Sequence, residues 1–223
     1  MTRMHGSGTT LVLFCFLLGT SADAIGGGKI GIYGIYMVPR GPDARSYSDP
    51  GGGFGLHLVA PVRSLANILA GVVGFEYINL LSENTQLQDR VTGLRVEQQT
   101  DQGYFRIYLG SQIGGHGNGF LRPHAGANIA LVYYQISTDV VVPDDYDREN
   151  EIRQNLRSEG HVVFGYDLTF GLDLNFSNHF AIDGGVRYLQ SFGVPQQLGD
   201  GSVKVHPYYF QVYLGIGVPF EAL

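Results

Sequence analysis

The sequence predicts an all-β chain: an eight-stranded antiparallel up-and-down transmembrane β-barrel after a cleaved signal peptide. Two observations carry this. The first is the segment VVFGYDLTFGLDLNF at 162–176. Val162, Phe164, Tyr166, Leu168, Phe170, Leu172, Leu174 and Phe176 alternate with Val163, Gly165, Asp167, Thr169, Gly171, Asp173 and Asn175. A period of two means a strand with one apolar face. It exceeds the usual five or six residues of a soluble strand and suits a tilted membrane strand of roughly 9–11. The second is the same pattern at 208–220, where Tyr208, Phe210, Val212, Leu214, Ile216, Val218 and Phe220 share a face. An apolar face repeated strand after strand is a lipid face, and in hydrocarbon such a sheet must close to satisfy its edges.

The elements follow in order. Residues 1–24 read as the leader: Arg3, an apolar run at 11–18, then Ala22 and Ala24 at the small-residue positions of a cleavage site. Cleavage is predicted after Ala24, and 25–223 is expected to be one barrel domain. The sole cysteine, Cys15, lies inside the apolar run, so the mature chain offers no thiol for disulfide or metal-thiolate chemistry. Eight strands are predicted at 29–38, 53–61, 69–81, 103–113, 123–137, 161–176, 180–190 and 207–220. In the second, Phe54, Leu56 and Leu58 oppose Gly55, His57 and Val59. In the third both faces are apolar, and its facing rests on Glu76. In the fourth, Phe105, Ile107 and Leu109 oppose Tyr104, Arg106 and Tyr108.

Connections at 63–68, 114–122 and 177–179 are short. Those at 39–52, 82–102, 138–160 and 191–206 are long and carry most of the charge. Short turns at one end and long loops at the other are the mark of an outer-membrane barrel, with both termini on the periplasmic side. A soluble barrel would need a charged exterior, yet Lys29 and Lys204 are the only lysines. The 33 Gly, 14 Tyr and 13 Phe point the same way, and a net charge of −6 excludes nucleic acid as a partner.

The chain resembles the small eight-stranded outer-membrane barrels of Gram-negative bacteria, the OmpA/OmpX/OmpW-like group. The resemblance rests on the leader, the Gly-aromatic strands and the last strand, where Tyr213, Gly215, Val218 and Phe220 look like the group's assembly signal. Val218 stands where an aromatic is usual, and three residues follow Phe220. The resemblance implies residence in the bacterial outer membrane, contact with its lipid and lipopolysaccharide, and recognition by the barrel-assembly machinery. It implies a monomer, with any extracellular ligand held through loops. No cofactor, metal or catalytic residue and no further periplasmic domain are expected.

The polar face collects Glu76, Arg106, Asp167, Asp173, Asp183 and Arg187, with His57 and His124. Eight strands leave a lumen that side chains can fill. Glu76 and Arg106 lie on neighbouring strands and are expected to pair. The tight turn at 177–179 sets Asp173 opposite Asp183, and Arg187 is expected to neutralise them. Tyr104, Tyr108, Tyr209 and Tyr213 are the expected filler, while Gly165, Gly171, Gly185, Gly215 and Gly217 would leave gaps. This arrangement reads as a structural ion network plugging the barrel, with an ion gate or a paired-carboxylate site as its functional counterpart. Ser177, Asn178 and His179 hold two members of a hydrolase triad with no third. In the loop VPDDYDRENEIRQNLRSEG, Glu149, Arg153 and Arg157 have the spacing of a short helix. The function expected is a structural or surface-interaction barrel, with a narrow channel as the alternative and a lipid-modifying enzyme behind it.

Overall fold

The computed structural model describes residues 28–45, 48–62, 68–88, 95–114, 120–142, 152–177, 180–198 and 201–220. The predicted leader and its cleavage site lie outside them. The strands are β1 (Gly28–Arg40), β2 (Gly51–Pro61), β3 (Leu69–Gln88), β4 (Arg95–Gly114), β5 (Leu121–Val142), β6 (Ile152–Ser177), β7 (Phe180–Phe192), β8 (Val194–Leu198), β9 (Gly201–Val205) and β10 (Tyr208–Phe220). One helical turn, α1 (Gly41–Arg45), follows β1. Eight strands close in the order β1-β10-β7-β6-β5-β4-β3-β2, and β8 pairs with β9 as a separate hairpin. Every barrel pair is antiparallel, and β1 meets β10 in an unbroken register from Gly28↔Phe220 to Arg40↔Tyr208.

The two faces separate as the alternation requires. Phe164, Ile129 and Leu214 point outward at 71%, 68% and 66% exposure, while Val163, Asp167 and Asp173 point inward. Strand β3 follows the same parity: Val72, Glu76, Ile78 and Leu80 are buried and Val73 is exposed. Aromatic side chains encircle the outside at two levels. Toward the loop end, Phe54–Tyr77, Tyr77–Phe105, Tyr166–Tyr188 and Tyr188–Tyr208 touch at centroid distances of 6.0, 4.6, 6.2 and 5.8 Å. Toward the other end, Phe176 meets Phe120 and Phe180 at 5.2 and 6.0 Å. Along β6 the girdles are marked by Tyr166 and Phe176. Their separation is about 33 Å of strand at ~3.3 Å per residue, or roughly 25 Å of height at a tilt of ~40°, the apolar band of outer-membrane barrels.

Three sequence expectations need correction. The third to sixth barrel strands run well past their predicted ends, and much of the predicted loops 82–102 and 138–160 is paired strand. Leu81–Gln88 pairs with Arg95–Gln102, and Val142–Ile136 with Ile152–Glu159. Above the membrane both faces of a strand meet water, so the alternation that marks a half-buried strand disappears while the ladder continues. The helix expected from Glu149, Arg153 and Arg157 is not formed: Arg153 and Arg157 lie in β6, and Glu149 is outside the described residues. The loop 191–206 folds as the β8–β9 hairpin, entered through Gly193 at φ +70°, a conformation that favours glycine.

A closed ladder leaves no edge for detergent to open. Unboiled protein should therefore migrate differently from boiled protein on a denaturing gel and partition with membranes. Identical mobility, with recovery in the soluble fraction, would count against a membrane barrel.

Candidate functional site: the charged lumen

All eight barrel strands send polar side chains inward, away from lipid, where being cut off from bulk water obliges them to pair with one another. Glu76 on β3 stands directly opposite Arg106 on β4, as the antiparallel register dictates. The Nε of Arg106 lies 3.4 Å from Oε2 of Glu76, and its Nη2 reaches Oδ2 of Asp167 on β6 at 2.7 Å. Arg187 on β7 donates through Nη1 to Oε1 of Glu76 and through Nε to Thr169 Oγ1 at 2.9 Å. Asp167 also accepts from Asn128 on β5 at 2.7 Å and from Thr169 at 3.0 Å. Glu76 accepts from Tyr33 on β1 at 2.8 Å and from Gln211 on β10 at 3.1 Å. Two carboxylates and two guanidiniums thus meet in one plane, none more than 3% exposed. The guanidiniums also sit over aromatic rings: Arg106 is 4.4 Å from the Tyr108 centroid and Arg187 is 4.9 Å from that of Tyr213.

A second cluster lies closer to the end of the barrel where β1 begins and β10 ends. Asp173 on β6 and Asp183 on β7 are register partners. Their neutralising cation is Lys29 on β1, with Nζ 2.5 Å from Asp173 Oδ1 and 2.9 Å from Asp183 Oδ2. The expectation that Arg187 serves this pair is corrected: its guanidinium turns to Glu76, with Asp167 at 3.7 Å. Lys29 shares the parity of Tyr33 and Met37, so its inward facing is readable from β1 alone. Its partner is not, because the contact crosses from β1 over β10 to β7 and depends on the register of closure. His57 and His124 flank the carboxylates, with His57 Nε2 3.5 Å from Asp183 Oδ2 and His124 Nδ1 3.9 Å from Asp173 Oδ2.

Toward the loop end the lumen is apolar and aromatic. Met37, Ile78, Leu80, Tyr104, Tyr209 and Leu189 are each at most 2% exposed. Tyr104 packs edge-on against Tyr134 at 5.2 Å and Tyr209 at 6.1 Å. The expectation that glycines leave gaps is also corrected. A side chain on Gly215 would strike Tyr33, and one on Gly171 or Gly185 would meet the Tyr213 hydroxyl; Gly217 lies under the stem of Lys29, and Gly165 faces the Gln190 carbonyl. The glycines are the seats of their neighbours, so small and large positions interlock. Above this layer is a cavity of about 240 Å³ lined by Asp43, Gln102, Tyr134, His161 and Tyr209 among others.

Of the last-strand residues, Tyr213 faces the lumen, while Val218 and Phe220 face outward at 55% and 36% exposure. Ser177 closes β6, and Asn178 and His179 lie outside the described residues.

No protein-family model matches the chain, and no curated protein does. Solved structures do. A major outer membrane protein from Thermus thermophilus superposes with a TM-score of 0.51 at 10% identity, covering 86% of this chain and 99% of its own. Neisserial surface protein A superposes with a TM-score of 0.50 at 13% identity, covering 86% and 97%. This is the fold of the small outer-membrane barrels. At such identities the likeness is one of architecture, and function has to be argued from the lumen and the rim.

Proposed function

We propose that the chain is an integral outer-membrane barrel with a closed lumen and a structural or surface-interaction role. The plane of Glu76, Arg106, Asp167 and Arg187 carries this reading. Its side chains come from β3, β4, β6 and β7 and are pinned by residues of β1, β5 and β10, so they meet across the whole section of the lumen. Such a network ties the wall together and leaves no wide aqueous path beside it. The termini then lie in the periplasm, after export and cleavage following Ala24. The Tyr213-Gly215-Val218-Phe220 pattern serves recognition by the assembly machinery, and the two aromatic girdles seat the barrel between phospholipid and lipopolysaccharide. The extended β3–β6 sheet and the β8–β9 hairpin present the surface available to an extracellular ligand, and the barrel acts as a monomer.

Planar-bilayer recording tests the closed lumen. Small or no steady conductance is expected, with no size-limited passage of sugars in liposome swelling. Large, stable openings by the unmutated protein would replace this reading with the channel. Mass spectrometry of lipid A with and without expression separates both from a lipid-modifying enzyme, which would alter the lipid.

A further inference from the structure

We propose that His57, His124, Asp173 and Asp183 form a divalent-cation site suited to zinc, in which the Lys29 ammonium holds the place of the metal. One ligand atom from each of His124, Asp173 and Asp183 lies within 4.8 Å of the others. In a tetrahedral site with bonds of ~2.1 Å, ligand atoms stand about 3.4 Å apart. His57 Nε2 is 3.5 Å from Asp183 Oδ2 and His124 Nδ1 is 3.9 Å from Asp173 Oδ2, so three ligands are grouped and His57, outside that group, turns in as the fourth. Two imidazoles and two carboxylates are a donor set that zinc accepts.

The second observation is a set of buried donor and acceptor atoms with no hydrogen-bond partner. His57 Nε2, His124 Nδ1 and Asp183 Oδ1 are all without one, and their residues are 6%, 6% and 3% exposed. Buried polar atoms are normally satisfied, and three orphans on neighbouring side chains point to a missing partner. Lys29 does not reach that standard. Its ammonium holds the two carboxylates but leaves both ring nitrogens unused. The His124 ring is also oriented as a ligand is: its Nε2 lies 3.1 Å from the Tyr213 hydroxyl, which fixes the ring and leaves Nδ1 for the metal. Each ring rests in a cradle that a Cβ would fill, His57 over Gly31 and His124 over Gly171. A cavity of about 20 Å³ adjoins His57, His124 and Asp183, with room for one water as a further ligand.

Exchange is open to Lys29 because it is the second residue of β1, at the end of the barrel where β1 begins and β10 ends. Its long stem lets the ammonium withdraw to water when a dication takes the carboxylates. The site is distinct from the Arg106–Arg187 plane, whose charges are already matched.

The test is zinc titration, by calorimetry, of the full mature chain folded in detergent and stripped with a chelator. One zinc per barrel is expected. His57→Gln and Asp183→Asn should each weaken binding at least tenfold, and Lys29→Met should tighten it at least tenfold by removing the competitor. Two histidines at the loop end are the control: His161→Gln with His206→Gln should leave the affinity unchanged. Each variant is scored for folding by heat-modified gel mobility. If Asp183→Asn does not fold, cobalt absorption of the wild type against His57→Gln decides, an intense tetrahedral band lost in the variant being the supporting result. Absence of stoichiometric zinc in both wild type and Lys29→Met, or binding that His57→Gln leaves unmoved, overturns the site.

Discussion

Glu76→Ala should destabilise the barrel by about 3–5 kcal/mol, the largest effect expected of any single lumen substitution. The carboxylate accepts from Arg187, Tyr33 and Gln211 and lies 3.4 Å from Arg106. Its removal leaves two fully desolvated guanidiniums facing one remaining carboxylate, Asp167. The cost is that of an uncompensated buried charge rather than the net worth of a pair. Denaturant unfolding in micelles measures it. A cycle with Arg187→Met checks the mechanism: the double variant should cost much less than the sum of the two singles, because the charge left behind by one is removed by the other. Arg106→Ala should behave like Glu76→Ala and also raise conductance noise, since it strips the plane of its central filler. Additive losses below about 1 kcal/mol would mean the lumen is wet enough to solvate these groups.

The second large effect belongs to the lipid face. Leu172→Arg should lose most of its folded yield in bilayers, while Asn175→Arg should keep most of it. Leu172 points outward between the two girdles, where Arg costs about 2–4 kcal/mol near the midplane. Asn175 is half-buried, near the terminal end of β6 and beside the last lumen layer. There a guanidinium can reach water along its stem. Equal yields in lipid vesicles would reverse the facing assigned to β6.

Within the membrane band the fold was legible because burial on one side and lipid on the other imprint a period of two on residues such as Phe164, Tyr166 and Leu168. Beyond the girdles that contrast ends, and the extensions of β3 to β6 carried no signal of their own. In the lumen, local pairing was legible: Asp173 against Asp183 follows from the tight turn at 177–179, and Glu76 with Arg106 from neighbouring strands of one hairpin. Contacts over several strands were not. Lys29 reaching Asp183, or Tyr33 reaching Glu76, depends on how the sheet curls shut, which no single strand encodes. The glycines misled for the same reason, since the group that fills each gap comes from another strand.

The seam between β1 and β10 has a kinetic consequence. It joins the first described strand to the last, the longest sequence separation of any barrel pair. Pairing between strands so distant in sequence is the slow kind to form. Lys29 acts at that moment as a latch. Sitting on the incoming strand, it reaches past β10 to Asp183 on β7 and so rewards only the barrel that has closed in the right register. A strand slipped by one residue would turn the ammonium toward lipid.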